Sequence, residues 1–460
     1  MNSSWKIAVR NLGRNKRRNF ATGLAIAAGY AGLLLLAGYV FRSEKYFRAN
    51  TVYINHTGHI AIYKEGGLEK AFVKPRLYSL KGEEQKIIED VVNSDGKTEF
   101  IGRYLKGVGL ISNGCKSLPF FATGIEPEVE ARIRSHPFVT KWVPELAQFK
   151  KGKGFWEGTP VDDPVSVTGG LSELLGKPGV YSDFAPLPSG PGTNPPAAVA
   201  IDCNGPQATS KVAGDSDVQL VARTFSGDMS ALNAEITSHY STGMAMTEDS
   251  SLVAPLSLLQ KLYDTDAITY MALYLKDKVS VASYTKSLGE KLKSKGLAVS
   301  LYPFNKEEVG LFYLGTMNFL YMMSGFFVCL VFGVVALSIV NSLTMSIIER
   351  TKEIGTLRSM GFLPEYVTGL FVKESLALTL SSLVFGALLA VVIAGIVNGL
   401  NIRFRPPGVA GDVQFVLAPT FEIGLVLALL ISVITYFAAR KAVIKRTREN
   451  IAKLLTSSSA

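Results

Sequence analysis

Four stretches of this chain run for about 20 residues or more with almost no charge: 21–41, 311–348, 367–398 and 417–439. An α-helix rises about 1.5 Å per residue, so ~20 apolar residues cross a hydrocarbon core of ~30 Å. A chain with four such runs cannot bury them all in one aqueous core, and each is expected to be a membrane span. The second run has about 38 residues, ~57 Å if wholly helical, and is expected to project beyond the bilayer as a stalk. Between the first and second runs, residues 45–310 are of mixed, water-compatible composition. The expected fold is therefore membrane α-helical, with four transmembrane helices and a large α+β extracytoplasmic domain between spans one and two.

Charge fixes an expected orientation. The net charge of +10 would suit nucleic-acid binding if it were spread over the chain, but it is concentrated at the ends. Residues 1–20 carry six Lys/Arg and no acid, and residues 440–460 carry six against Glu449 alone. Basic flanks of membrane spans face the cytoplasm, so both termini are read as cytoplasmic and nucleic acid is not an expected partner. Residues 1–20 read as an amphipathic interfacial helix, with Trp5, Ala8, Val9 and Leu12 on one face and Lys6, Arg10, Arg14 and Arg17 around the rest. The first span reads as a retained anchor, because Arg42, Ser43, Glu44 and Lys45 follow it where a cleaved leader needs small residues.

The most distinctive segment is 346–362, SIIERTKEIGTLRSMGF. Glu349, Arg350, Lys352 and Glu353 are followed by Ile354, Leu357 and Met360 at helical spacing. Residues 349–365 thus read as a short amphipathic helix at the membrane surface between two spans. Apolar side chains on one face would fill a groove on a partner, while Glu349, Arg350, Glu353 and Arg358 set register by charge.

Within 45–310, residues 52–63, 99–112, 120–125, 268–275 and 297–302 read as strands, and 83–92, 256–263 and 281–293 as helices. Strand–helix alternation at both ends predicts two related lobes, with residues about 150–240 a smaller β-rich insert. Inside it, Pro186, Pro188, Pro191, Pro195 and Pro196 mark a loop, either without special role or a stiff hook for a soluble partner. Cys115 and Cys203 either pair or stay as buried thiols; Cys329 lies in the second span. Small residues recur every four positions at Gly23, Ala27 and Ala31 and at Gly325, Cys329 and Gly333. Such spacing serves packing inside one subunit or a dimer seam.

Catalytic patterns are absent or incomplete. Residues 170–177, GLSELLGK, have the wrong spacing for a phosphate loop and lack its Ser/Thr. Ser283 and Lys286 form S-x-x-K without the partner motifs. His56 and His59, read as strand residues, would point to opposite faces and hold no metal. No cofactor is expected in this chain.

The segment 349–361, with ERTKEIG followed by LRSMG, resembles the ERxxEIGxLRaxG segment of the MacB/LolC–LolE/FtsX permeases. The opening Ala8–Leu12 with Arg14–Arg18 is similar to that family's start, and Ala438–Ala442 to its ending, with Ala438 in place of the usual proline. Residues 124–128, GIEPE, look like a segment of the LolC/LolE-type domain. The resemblance implies a type VII ABC permease in the cell inner membrane, multi-pass, with the large domain periplasmic. It implies two permease chains, as a homodimer or heterodimer, with two separate ATPase subunits that bind ATP and Mg. It also implies that this chain is itself non-catalytic and passes motion to its outer domain. Lipoprotein release to a periplasmic carrier, MacB-like efflux with an adaptor, and FtsX-like control of a cell-wall hydrolase remain open. The size of the domain speaks against the third.

Overall fold

The computed structural model describes residues 16–147, 151–158, 161–177, 216–406 and 408–447. The Pro186–Pro196 loop, Cys203 with its pairing to Cys115, most of the amphipathic segment 1–20 and most of the basic tail 440–460 lie outside these residues. The chain divides into two compact units, Met1–Glu44 with Met317–Arg403 and Gln414–Ala460, and Lys45–Thr316 with Phe404–Val413.

The first unit is a helical bundle. It holds most of four long apolar helices, M1 (Lys16–Ala49), M2 (Glu307–Glu349), M3 (Pro364–Gly399) and M4 (Phe421–Thr447), with Lys45–Ala49 of M1 and Glu307–Thr316 of M2 falling in the second unit. Each contains a stretch long and apolar enough to span a bilayer. M2 is interrupted at Gly310, whose φ of −121° and ψ of 28° leave the helical region, so the unbroken helix begins only after it. Ile26, Tyr30, Leu34, Ile339, Phe371 and Ile431 are among the side chains that fill the bundle core. Because lipid is as apolar as leucine, close approach and polar ties must supply specificity. A Cβ on Gly386 of M3 would come within 2.6 Å of the Ala27 carbonyl oxygen of M1. The Tyr30 hydroxyl donates to the Gly424 carbonyl (2.9 Å), and Thr379 and Thr435 bond across M3 and M4 (3.2 Å).

The second unit is built on ten strands among the described residues. They are β1 (Ile60–Lys64), β2 (Thr98–Ser112), β3 (Ser117–Ile125), β4 (Lys151–Gly152), β5 (Pro164–Thr168), β6 (Asp217–Arg223), β7 (Met229–Tyr240), β8 (Ser251–Pro255), β9 (Tyr270–Leu275) and β10 (Val299–Pro303). The long β2 has two partners on one edge. Its first half pairs antiparallel with β9, and Leu110–Ser112 pair with β6. From β6 the pairings run through β7, β5, β8 and β3 and return to β2, closing a ring. From β9, outside the ring, β1 and β10 extend the sheet. Four helices contribute further packing: α1 (Gly82–Asp95), α2 (Pro127–Ser135), α3 (Leu256–Tyr263) and α4 (Val281–Ser294).

Two expectations are corrected here. Strands β5, β6 and β7, from the segment read as a separate insert, are ring members hydrogen-bonded to β2 and β8, so they share the domain's one sheet and core. A closed ring leaves no unpaired edge, which favours incorporation over a free-standing subdomain. Residues 52–54, read as the start of a strand, belong instead to a π-helical turn (Asn50–Ile54) that follows M1. Helix propagation from M1 overrides the β-branched composition, and the chain turns only at His56 (φ 58°) and Gly58 (φ 68°).

Neither His56 nor His59 therefore lies in a strand. His56 bonds Glu130 through Nε2 (2.8 Å), and Glu130 also accepts from Arg134 (2.7 Å). Burial alone would raise the Glu130 pKa, but Arg134 and His56 outweigh it and hold the carboxyl below its ordinary range. His59 accepts the Leu275 N–H, and burial, helped by Arg48 and His136, pushes its pKa down to about 3. Among the described residues no group of His, Cys, Asp and Glu is arranged to hold a metal. The GIEPE segment is a strand-to-helix junction, with Gly124 and Ile125 ending β3 and Pro127 opening α2. In 170–177, Lys177 donates to the Asp217 carbonyl, as a structural lysine does.

Candidate functional site

M2 ends where the chain turns. Arg350 leaves helical geometry (φ −107°, ψ 17°), and a separate nine-residue helix, Thr351–Ser359, follows. This elbow helix is closed by a paired cap: the Gly361 N–H bonds the Arg358 carbonyl (3.1 Å) and the Phe362 N–H bonds the Leu357 carbonyl (3.2 Å). The motif needs a left-handed residue, and Gly361 supplies it at φ +91°. Leu363 then precedes Pro364, which stands at the first turn of M3, where its missing N–H costs nothing.

Arg350 braces the elbow. Its guanidinium donates to Glu353 on the elbow helix (2.9 Å) and to Glu374 on M3 (3.1 Å), and it lies over the Phe371 ring at 5.3 Å. The Arg350 and Glu374 side chains are only 16% and 14% exposed, whereas Glu353 is 44% exposed. The M3 bond is thus the better shielded. Arg358 donates to the Thr447 carbonyl of M4, and Thr447 bonds Thr368 of M3 (3.0 Å), so elbow and bundle are tied at both ends.

The structure redistributes the residues expected to meet a partner. Ile354 is buried against the bundle, in one cluster with Ile347, Val367 and Val443, and Leu357 packs at its edge. These two fill this chain's own core instead of a partner's groove, because the short helix folds back onto M3 and M4. Gly361 serves the cap. Glu349, Glu353 and Met360 are exposed, while Arg350 and Arg358 are partly buried. Beyond Met360 the apolar surface continues through Phe362, Leu363 and Tyr366, which are 40%, 69% and 49% exposed. Phe362 and Tyr366 stack with centroids 5.1 Å apart. The elbow therefore presents an apolar tip, Met360–Phe362–Leu363–Tyr366, above a rigid ionic brace.

The two small-residue series separate as well. Ala27 and Ala31 are buried, and a Cβ on Gly23 would stand 3.0 Å from the Ser382 hydroxyl of M3. This series packs M1 on M3 within the chain. Gly325, Cys329 and Gly333 are exposed on M2, and a Cβ on either glycine would meet nothing within 4 Å.

Residues 325–448, covering most of M2, the elbow, M3 and M4, match the FtsX-like permease C-terminal family. Those residues are similar to the C-terminal region of FtsX-like permeases. No curated protein matches the chain. Among solved structures, the periplasmic region of MacB from Actinobacillus actinomycetemcomitans aligns at 12% identity and TM-score 0.32, over 53% of this chain and 87% of that one. The extracellular domain of the noncanonic ABC-type transporter YknZ from Gram-positive bacteria aligns at 11% and 0.30, over 53% and 98%. A domain of a putative permease protein from Porphyromonas gingivalis aligns at 12% and 0.25, over 54% and 88%.

Within residues 325–448, sequence reasoning missed Glu374 and Phe371. The signal was present: Lys373 and Glu374 are adjacent charges inside an otherwise apolar run, and an ionisable residue in such a run asks for a named partner. Arg350 is that partner.

Proposed function

We propose that this chain is the permease subunit of an ATP-driven ABC complex, and that its elbow receives a separate cytoplasmic ATPase. The observation carrying this reading is the apolar tip at Met360–Tyr366 next to a braced elbow, within the segment that matches the FtsX-like family. A large apolar side chain 69% exposed at a helix junction, as Leu363 is, gains by entering a pocket. The brace transmits force because Arg350 and Arg358 tie the elbow helix to M3 and M4. ATP and Mg belong to the partner, and this chain contributes no catalytic group. The termini and elbow face the cytoplasm and the β-rich domain lies outside.

The cargo that best suits this reading is lipidated protein, extracted from the inner membrane and passed to a periplasmic carrier. It is supported by the largely unburied apolar surface of M2, of whose 18-residue apolar window only 11% is buried within the chain. Two permease chains would share that surface with cargo.

Leu363→Asp and Tyr366→Ala test the docking reading. Both positions are exposed, so the bundle should fold as before while co-purification of an ATPase in mild detergent falls at least tenfold. Equal recovery of ATPase would refute the assignment of the tip. Mass spectrometry of the same preparation tests the cargo: acylated protein supports extraction, and a periplasmic adaptor without acylated protein points to an efflux machine.

A further inference from the structure

The second unit holds a cleft of about 410 Å³ between the segment 71–77, the middle of β2, the β6–β7 turn and the end of α3. Its floor is built for stiffness. Gly107 has no room for a side chain, since a Cβ there would overlap the Tyr263 ring. The Tyr263 hydroxyl donates to the Val108 carbonyl (3.1 Å), and its own carbonyl accepts the Phe225 N–H (3.0 Å). Strand, helix and turn are thereby locked around the opening.

The lining carries Lys74, Arg76, Lys106 and Arg223 and no acid. Elsewhere in this unit many buried or half-buried cations have carboxylates: Lys64 pairs with Glu84 (3.0 Å), Arg103 with Glu89 (2.9 Å) and Arg134 with Glu130 (2.7 Å). Among the described residues no carboxylate pairs with any of the four cleft cations. Lys106 rests over the Tyr270 ring at 5.3 Å, and burial lowers its ammonium pKa. Arg223 gives one hydrogen bond to the Gly227 carbonyl (3.0 Å), out of five donors on its guanidinium. Thr224 and Ser226 add hydroxyls to the lining.

The rim is apolar and open. Phe72, Val73, Leu77 and Val108 are 47%, 78%, 63% and 44% exposed. Contiguous apolar surface is costly to leave in water, and next to cations that lack carboxylate partners it marks a binding site for an anionic, partly apolar molecule. A volume of this size lies within the range of about 300–1,000 Å³ typical of small-molecule pockets.

We propose that this cleft binds a single-chain amphiphile bearing one anionic group, a carboxylate or a phosphate. The anion sits among the four cations, with Lys106 innermost, and the chain lies along Phe72, Leu77 and Val108. Neither part suffices alone: a bare anion leaves the rim wet, and a neutral chain leaves Lys106 without a counter-charge. The site stands whether or not the elbow docks an ATPase.

The test uses the full chain in nanodiscs of zwitterionic lipid, with 11-(dansylamino)undecanoic acid as a fluorescent probe and empty discs as background. Saturable emission above background is expected, displaced by dodecanoate and by dodecyl phosphate at similar concentrations. Dodecanol, and acetate or inorganic phosphate alone, should require at least tenfold more. Lys106→Gln should weaken probe binding at least tenfold, and Arg223→Gln and Leu77→Asp, at exposed positions that leave folding intact, at least threefold. Lys116→Gln, exposed and outside the cleft, should change nothing. Displacement by inorganic phosphate as effective as by dodecyl phosphate would reduce the site to a simple anion site and overturn the proposal. So would equal displacement by dodecanol, or wild-type binding in both Arg223→Gln and Leu77→Asp.

Discussion

Removing the Arg350–Glu374 contact should loosen the elbow by an amount that its environment sets. Arg350 makes two ionic bonds, and their shielding differs: Glu374 is 14% exposed and Glu353 is 44% exposed. A charge-assisted bond to a shielded group is worth about 1.5–3 kcal/mol, while an exposed i,i+3 pair gives about 0–0.5 kcal/mol. The stacking of Arg350 on Phe371, at 5.3 Å, adds about 0.5–1 kcal/mol. Arg350→Met should therefore destabilise the bundle by about 2–4 kcal/mol, with Glu374 left short of a partner as the main cause. Double-mutant cycles separate these parts. Coupling between Arg350→Met and Glu374→Gln should reach about 1–3 kcal/mol, against at most ~0.5 kcal/mol between Arg350→Met and Glu353→Gln. The assay is reversible unfolding in mixed micelles, read by near-UV circular dichroism. Coupling to Glu374 no larger than coupling to Glu353 would refute the brace.

Further outcomes follow from the same geometry. Gly386→Ala should destabilise by about 1–3 kcal/mol through overpacking, because its Cβ would come 2.6 Å from the Ala27 carbonyl oxygen. Gly395→Ala on the same helix meets nothing within 4 Å and should stay within about 0.5 kcal/mol of wild type in the same unfolding assay. Glu248 accepts bonds from Ser241 and Thr242, yet burial raises its pKa to about 7. The folded state thus binds its proton more tightly than the unfolded state, so the contribution is whole below about pH 4.5 and is lost as pH rises through 7. The loss is on the order of 3 kcal/mol. Glu248→Gln should flatten that part of a stability–pH profile for the full chain, and an unchanged slope would contradict the assignment.

The membrane helices were legible because crossing a bilayer is a one-dimensional demand: a run of apolar residues meets it whatever the rest of the chain does. The helix at Leu256–Tyr263 was legible for a similar reason, since its apolar spacing and the turn at Asp264 are local. The closed ring was not. It depends on Leu110–Ser112 finding residues 219–221, over a hundred positions away, and nothing in either segment names the other. At the elbow, Ile354, Leu357 and Met360 are spaced as an apolar face, but periodicity does not say what covers it. Here the chain's own M3 and M4 cover Ile354 and Leu357, and only Met360 is left exposed. Leu357→Asp would consequently place a carboxylate at the edge of the bundle core and disturb folding along with docking, whereas Leu363→Asp acts at the surface.

Position-specific photocrosslinking at the elbow tests docking most directly. A benzophenone side chain at Leu363, in the full chain expressed in its own cells, should crosslink to an ABC ATPase. The same group at Leu388, an equally exposed position in the middle of M3 (61%), should not. Crosslinking at Leu363 to lipid alone, with no ATPase captured there, would contradict the elbow as the docking site.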